Sequence, residues 1–346
     1  MRKKLVYISS NDGSDTRIVK EVRTLSGDFD IIFLGVGAYG ERNYAKAYCS
    51  DFKLIQGKRN RPGTILRHVW LFLGVLVRNK VHSVHVINEQ LMIFFYPFLF
   101  GKKVVLDLFD SFFLMHVNMP GNSWSVIKRL VYAPVDTILV TDENRFRLMN
   151  DRAKGKTSIL PNYPNRHPAY AKASDPRYTT MFYSGTMNLE RGTSLLRDLL
   201  KADPRIRVIM AGWITDEETT ELSKAAGVDF RGVMPQEKAL EIAAWECDYV
   251  LCLYSPHSDN NINASPNKIY DAIQTGTPVI INAEVKVSAF VVQQDLGYVL
   301  NNYNEYDAVA VAEELTARKS SYAFHPELRE AYTWESVEQV LIEAHS

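Results

Sequence analysis

Lys268 and Asp271 stand three residues apart, directly after the sequence Ala-Ser-Pro-Asn. This spacing predicts that both side chains lie on one face of a helix. Ser265 is a favoured N-cap residue and Pro266 suits the first helical position, so the helix is expected to begin with free backbone N–H groups. Those groups, the helix dipole and the ammonium favour a phosphate or diphosphate, and the carboxylate suits a ribose. The alternative is a well-capped helix with a solvated Lys/Asp pair.

The same helix has a clear end and is followed at once by a strand. Gly276 is expected to close it, and Pro278 prevents it from resuming. Residues 279–281, Val-Ile-Ile, are typical of a buried strand. The anion-binding helix is therefore expected to belong to an α/β unit.

The N-terminal half of the chain alternates short apolar runs with helical patterns. The runs predict buried strands at Lys4–Ser9, Asp30–Leu34, Ser83–Ile87, Lys103–Asp107 and Thr137–Thr141. A helix is expected at Arg17–Leu25. Strands separated by helices favour a parallel, doubly wound sheet.

A polar, proline-rich connection at Pro161–Pro176 separates this half from a second βα series. Its strands are predicted at Thr180–Tyr183, Arg207–Ala211, Asp229–Arg231 and Tyr249–Leu253, and a last helix at Leu328–Ala344. Gly185, Gly212 and Gly232 each follow one of these strands. Ligands bind at the carboxyl ends of strands in such sheets, so these loops are expected to meet at one crevice of a Rossmann-like domain.

Charge is distributed unevenly along the 346 residues although the formal net charge is zero. Residues 1–150 hold 21 Lys and Arg against 13 Asp and Glu, a net of +8. Residues 52–88 hold seven basic residues, no acidic residue and the apolar run Val69–Val77. The pattern suggests attachment to an anionic membrane surface. The favoured alternative is a core helix with basic ends, and nucleic acid fits poorly because aromatic and basic residues are not interleaved.

Cysteine usage and the N-terminus indicate a cytoplasmic protein. The three cysteines, Cys49, Cys247 and Cys252, have no metal-ligand spacing and suit a reducing compartment. The apolar run Leu5–Ile8 is too short for a signal peptide.

Several motifs, in a fixed order, resemble the nucleotide-sugar glycosyltransferases of the group 1 family. They are Leu160–Asn162, Ser184–Gly192, Met210–Gly212, Gly232–Pro235 and Ser265–Lys268, with Val104–Asp110 as a weaker match in the first half. The resemblance implies the GT-B fold, with two Rossmann-like doubly wound domains facing a central cleft. It also implies an acceptor-binding domain over 1–160, a donor-binding domain over 161–325, and a helix over 326–346 that crosses back to the first domain.

The resemblance also implies roles for matching residues. Arg191 and Lys268 would hold the donor diphosphate and act catalytically with Asp110. The remaining donor-binding positions would be Gly185, Thr186, Gly212, Val233, Asn263, Ser265, Pro266, Asn267 and Asp271. Arg17 and Asp107 would bind the acceptor. From the residues alone, the favoured interpretation of Asp107 and Asp110 is a strand-end cap and a helix N-cap, and that of Arg17 is a solvated helix charge.

Two positions depart from the family pattern. Asn263 stands where the family often has a glutamate that positions the sugar, and the ribose-binding glutamate is shortened to Asp271. No Asp-x-Asp pair lies in a convincing metal context, so no metal and no cofactor are expected, with a UDP or GDP sugar as substrate.

The expected function is transfer of a sugar from a nucleotide-diphosphate donor to a glycan or lipid-linked acceptor, with retention, in cell-surface polysaccharide biosynthesis. The expected location is the cytoplasm, at the inner face of the membrane. Two alternatives stay open: a nucleotide-sugar epimerase on the same architecture, and a non-catalytic nucleotide-sugar binding module.

Overall fold

The chain folds into two compact units. The computed structural model describes residues 2–59, 61–109, 123–168, 173, 175–264, 266–322 and 324–346. The first unit runs to Asn162 and also contains Val337–Ser346, and the second is Tyr163–Ser336.

Thirteen strands occur in the described residues, seven in the first unit and six in the second. The first seven are β1 Lys3–Ile8, β2 Phe29–Val36, β3 Asp51–Ile55, β4 Val81–Ile87, β5 Lys103–Leu108, β6 Thr137–Val140 and β7 Thr157–Ile159. The other six are β8 Thr179–Met187, β9 Ile206–Ile214, β10 Val228–Phe230, β11 Tyr249–Leu251, β12 Val279–Asn282 and β13 Gly297–Leu300.

The helices alternate with these strands, as the sequence pattern predicted. In the first unit they are α1 Thr16–Leu25, α2 Pro62–Arg78, α3 Glu89–Phe95, α4 Ser123–Tyr132, α5 Glu143–Leu148 and α6 Asp151–Lys154. In the second unit they begin with α7 Thr193–Ala202, α8 Glu217–Leu222, α9 Gln236–Glu246, α10 Asp259–Ile262 and α11 Asn267–Thr275. They continue with α12 Ser288–Gln293, α13 Ala308–Arg318, α14 Pro326–Ala331 and α15 Trp334–His345.

Both sheets are parallel and share one strand order. The first sheet has the order β3-β2-β1-β4-β5-β6-β7 and the second β10-β9-β8-β11-β12-β13. In each, the order reverses beside the first strand of the unit, between β1 and β4 or between β8 and β11. Ligands of doubly wound folds bind beside such a reversal, at the carboxyl ends of the strands. The expected α/β, doubly wound architecture is confirmed in both units.

The second sheet is buried on both faces, which explains its apolar strands. Met181 and Tyr183 pack in one apolar cluster, and Phe182 between them packs in another. Successive residues of a strand point to opposite faces, so a sheet covered by helices on both sides needs nearly continuous apolar runs.

Two predicted strand ends were wrong. Strand β8 continues to Met187 and strand β9 to Ile214, so Gly185 and Gly212 lie within paired strands and face each other in register. A β-carbon on Gly212 would lie 2.0 Å from the carbonyl oxygen of Gly185. Glycine here therefore allows close strand pairing, where the sequence suggested that it ends the strand.

The predicted helix Leu328–Ala344 is two helices, Pro326–Ala331 and Trp334–His345. Tyr332 caps the first of them with φ −109° and ψ 53°, which breaks the helical run. The fully buried Trp334 donates its backbone N–H to the carbonyl of Pro164 at 2.7 Å. The last helix thus begins in the second unit and ends in the first, where His345 lies 3.0 Å from His85.

His68 on α2 is a buried titratable group of the first unit. It is 1% exposed, and its Nε2 lies 3.2 Å from the carbonyl oxygen of Leu34. Burial lowers the pKa of His68 to about 4, against a small opposing effect of that hydrogen bond. Burial also lowers the pKa of His345. Both imidazoles are therefore held neutral in the folded chain.

We expect stability to fall as the pH is lowered from 7 to 5. In the unfolded chain His68 regains its ordinary pKa of 6.5 and binds a proton that the folded chain excludes. As the pH falls below 6.5, protonation of the unfolded chain therefore favours unfolding. This residue lowers the free energy of unfolding by about 2 kcal/mol between pH 7 and pH 5. Urea unfolding at both pH values should show a smaller loss in His68→Gln. The exposed His325→Gln is the matched control, and an equal loss in both variants would contradict the assignment.

Candidate anion-binding site

The helix Asn267–Thr275 begins one residue later than the sequence predicted. Pro266 is its N-cap, with φ −69° and ψ 125°, and not its first helical residue. Proline has no side-chain acceptor, so no cap bond covers the first turn. Ser265, the predicted N-cap, lies outside the described residues. Gly276 ends the helix with φ 68°, which confirms the predicted left-handed closure.

Lys268 lies in the first turn of this helix, half-buried and close to β8. A β-carbon built on Gly185 would lie 4.0 Å from Cε of Lys268, which places the lysine stem next to this strand. Burial lowers the pKa of Lys268; the charge of Arg191 lowers it as well, while Cys252 and Asp271 act in the opposite direction. Burial also raises the pKa of the Cys252 thiol to about 12, so this thiol is neutral and cannot balance the ammonium.

Arg191 is positioned by a single helical turn, Leu189–Arg191, after β8. The backbone N–H of Leu189 donates to the carboxylate of Asp216 at 2.7 Å, and its carbonyl accepts from the hydroxyl of Tyr303 at 2.6 Å. Gly192 then turns the chain into α7 with φ 102°. The turn is fixed at both sides, so the arginine side chain leaves from a rigid base.

Tyr254 supports the guanidinium of Arg191, a role that no sequence motif indicated. The Cζ atom of Arg191 lies 3.7 Å from the centre of the Tyr254 ring, a cation–π contact. The buried side chain of Asn282 holds the backbone of Tyr254 by two hydrogen bonds of 3.0 Å. In the sequence, the only indication was that Tyr254 and Asn282 each follow directly after a predicted strand.

Two cations therefore meet beside the strand-order reversal of the second unit. Neither Lys268 nor Arg191 forms an ion pair with another residue in the described part of the chain. One buried terminal nitrogen of Arg191 has no hydrogen-bond partner there. Asp271 offsets only part of the combined charge. Because like charges repel, the arrangement favours an added anion, and the uncapped helix start supplies further N–H donors.

Three glycines line up next to these cations. Gly185 and Gly212 are register partners, and the N–H of Gly212 donates to the carbonyl of Gly232 at 2.9 Å. Their φ angles are 82°, 144° and 71°, all in the region that favours glycine. The three positions are thus neighbours, as predicted, with Gly185 and Gly232 partly exposed and Gly212 buried.

Other predicted donor-binding residues take varied positions. Asp271 accepts a hydrogen bond from Gln236 at 3.2 Å. Both ends of the Asn263 amide are bound: its nitrogen donates to the carbonyl of Asp259 at 2.7 Å, and its oxygen accepts from Lys286 at 2.6 Å. In this state Asn263 ends the short helix Asp259–Ile262 and does not offer a free amide. The exposed positions are Thr186, Val233 and Asn267.

The predicted acceptor residues form a buried network in the first unit. Arg17 and Asp107 are 2% and 0% exposed, and two hydrogen bonds of 2.9 and 2.8 Å join them. Arg17 also bonds Glu21 at 2.7 Å. These side chains are bound to each other and not to solvent, which differs from the expected open, acceptor-facing arrangement. Asp110 lies outside the described residues.

His85 joins this network, although no partner for it was predicted from the sequence. Ligand atoms of Glu21, His85 and Asp107 lie within 4.8 Å of one another, a grouping that could hold a metal ion. However, the guanidinium of Arg17 already bridges both carboxylates. That cation supplies the charge that a metal would supply, so the donor set is better explained as an internal ion-pair network.

Comparisons with known proteins give a consistent picture of the fold. Neither the protein-family comparison nor the curated-protein comparison found a match. Among solved structures, sucrose-phosphate synthase from Thermosynechococcus elongatus aligns with a TM-score of 0.72 at 13% identity, over 99% of this chain and 98% of that one. HepE from Anabaena, in complex with UDP-glucose, aligns at 0.69 and 13% identity over 98% of both chains.

A glycosyltransferase from Rickettsia africae aligns at 0.62 and 12% identity, over 100% of this chain and 94% of that one. These alignments span both units, and at such low identity what they show is the fold. Together with the two parallel sheets of seven and six strands, they establish that this chain has the GT-B fold of nucleotide-sugar glycosyltransferases.

Proposed function

We propose that the chain is a glycosyltransferase that moves a sugar from a nucleotide-diphosphate donor of the UDP or GDP type. The acceptor is a glycan or a lipid-linked glycan, the anomeric configuration is retained, and the product serves cell-surface polysaccharide biosynthesis. The reaction takes place in the cytoplasm. The observation that carries the proposal is the pair of cations, Lys268 and Arg191, without a matching counter-ion among the described residues.

The chemistry of sugar transfer explains why such a pair is useful. When the bond between the anomeric carbon and the diphosphate breaks, negative charge grows on the leaving oxygens. Fixed cations and helix N–H groups stabilise this charge more in the transition state than in the ground state. Lys268 at the helix start and Arg191 from the turn after β8 can do this themselves, which supports our proposal that the reaction needs no metal.

The glycines and Asp271 fit the rest of the donor. Gly185 and Gly212 bring backbone to the ligand without a side chain between them. Asp271 lies one helical turn from Lys268, where a carboxylate can accept hydrogen bonds from ribose hydroxyls. HepE, which shares the fold, is solved with UDP-glucose, and this supports a UDP sugar as the first donor to test.

A melting-temperature screen tests donor binding directly. We expect a UDP or GDP sugar to raise the melting temperature, because a ligand that binds only the folded state stabilises it. At a concentration of about 100 times the dissociation constant the gain is about 2.7 kcal/mol. Arg191→Ala should abolish the shift. Arg197→Ala, an exposed arginine of the same unit, should keep it.

Three outcomes would count against the proposal. No shift with any UDP, GDP or CMP sugar would remove donor binding. Conversion of the donor sugar without an acceptor would indicate an epimerase, since epimerisation needs no second substrate. Donor binding with neither hydrolysis nor transfer across a panel of glycan acceptors would indicate a binding module.

A further inference from the structure

Helix α2, Pro62–Arg78, presents an apolar face to solvent. Its inner side is buried through Phe72 and Val75. On the opposite side Leu66 is 60% exposed, Trp70 67% and Val77 87%. Positions 66, 70 and 77 recur at helical spacing, so these side chains form one outward stripe. The sequence favoured a fully buried core helix here, and the structure shows that only one side is buried.

The stripe continues onto the neighbouring elements of the first unit. The buried residues of α2, α3 and α4 pack in one apolar cluster, and α3 contacts both of the other helices. The exposed residues of these helices therefore lie on neighbouring elements. We call the exposed set the outer apolar face. Its members are Leu66, Trp70, Val77, Phe94, Phe98, Phe100, Ile127 and Leu130. Several large apolar side chains exposed on neighbouring elements are typical of an interaction site.

The segments that carry the outer apolar face are rich in basic residues. In residues 56–103 and 123–132 the sole acidic residue is Glu89. Glu89 is 0% exposed and accepts a hydrogen bond from Tyr132 at 2.5 Å. The exposed basic residues of these segments are Lys58, Arg59, Arg61, Arg67, Arg78, Lys80 and Arg129. Within these two segments the described residues therefore combine exposed apolar side chains with exposed basic ones and no exposed carboxylate, and the exposed Asp136 follows just after them.

We propose that the outer apolar face binds the surface of an anionic lipid bilayer. Trp70 and its neighbours enter the boundary between headgroups and acyl chains, and the basic residues contact lipid phosphates. Charge complementarity selects this partner, because a bilayer supplies apolar depth and a continuous negative surface together. None of the helices in the described residues has both the length and the apolar character that crossing a bilayer requires. The attachment is therefore peripheral, and it does not depend on the proposed sugar transfer.

Vesicle sedimentation of the full chain tests this assignment. The protein should pellet with vesicles of mixed phosphatidylglycerol and phosphatidylcholine at low salt, and far less with phosphatidylcholine alone. Trp70→Ser should weaken binding about 10-fold, and Arg67→Gln or Arg78→Gln about fivefold each. Added salt should weaken binding further, because it screens the lipid charge. Trp245→Ser, which removes a 48% exposed tryptophan of the second unit, is the matched control.

The assignment fails if the unchanged protein ignores anionic vesicles at low salt. It also fails if Trp70→Ser and Trp245→Ser bind equally well while both keep the circular dichroism spectrum of the unchanged chain. Light scattering tests the alternative that a second copy of this chain occupies the face. If the unchanged protein is a dimer that does not bind vesicles, and Trp70→Ser makes it a monomer, the face is a dimer interface.

Discussion

Replacing Lys268 with alanine is expected to reduce turnover by about 10²- to 10³-fold, or about 2.7–4 kcal/mol of transition-state stabilisation. The ammonium lies at the uncapped start of the helix Asn267–Thr275, beside Arg191. In the proposed reaction it would contact the diphosphate oxygens, on which charge develops as the donor bond breaks. The loss should fall mainly on kcat, since the interaction strengthens in the transition state. Steady-state kinetics with the donor found in the melting screen measures it.

Stability distinguishes this catalytic role from a structural one. Lys268→Met keeps most of the side-chain volume and removes the ammonium group. Burial already lowers the pKa of that group. Its ligand-free melting temperature should be at least that of the unchanged protein, because repulsion with Arg191 is relieved. Lys224→Ala, an exposed lysine of the same unit, is the control for the general loss of a lysine. Near-normal turnover in a folded Lys268→Ala protein would contradict the proposed role.

Gly212→Ala is expected to lower donor affinity by about 10²-fold or more. The new methyl group would lie 2.0 Å from the carbonyl oxygen of Gly185, which is backbone and cannot rotate away. Strands β8 and β9 would have to separate where Gly185 faces Lys268, and displacements of about 1 Å at such a site cost about this much. Overpacking and the φ of 144° should also lower the free energy of unfolding by about 3 kcal/mol. Isothermal titration with the donor and urea unfolding measure the two effects.

Gly297→Ala is a closely matched control for that substitution. Gly297 has φ 158°, and its added β-carbon would lie 2.0 Å from the carbonyl oxygen of Val279. Gly297 begins strand β13, so it lies at the amino ends of the strands, opposite to the site. We expect a similar loss of stability with unchanged donor affinity in the protein that remains folded. Equal donor affinities for the two variants would mean that the contact between Gly185 and Gly212 does not shape the site.

Much of the fold was predictable because parallel strands buried on both faces leave a strong sequence signal. The strands β4, β5, β6 and β12 are within a few residues of their predicted bounds. Strand β3, Asp51–Ile55, was missed because it lies at a sheet edge and carries Asp51 and Lys53 beside its apolar residues. The ends of β8 and β9 were wrong because glycine signals both a loop and a close strand contact, and sequence alone does not separate the two.

The candidate site was predictable where local chemistry fixes it and not where distant contacts do. Lys268 and its helix follow from capping rules within a few residues. The stacking of Arg191 on Tyr254 joins residues that are 63 positions apart, so no local sequence pattern predicts it. The same holds for Arg17 and Asp107, whose mutual ion pair spans 90 residues and buries both side chains. We expected these two side chains to be exposed because they lie near strand ends. The ion-pair network with Glu21 buries them instead.

In the proposed reaction, the unbalanced charge of Lys268 and Arg191 would also affect the release of the product. A nucleoside diphosphate that has lost its sugar carries more negative charge than the nucleotide sugar that entered, so these two cations attract it more strongly. Cations that speed bond cleavage in this way also slow the release of the nucleoside diphosphate product. Escape of the spent nucleotide, rather than the chemical step, would then set the pace of the enzyme.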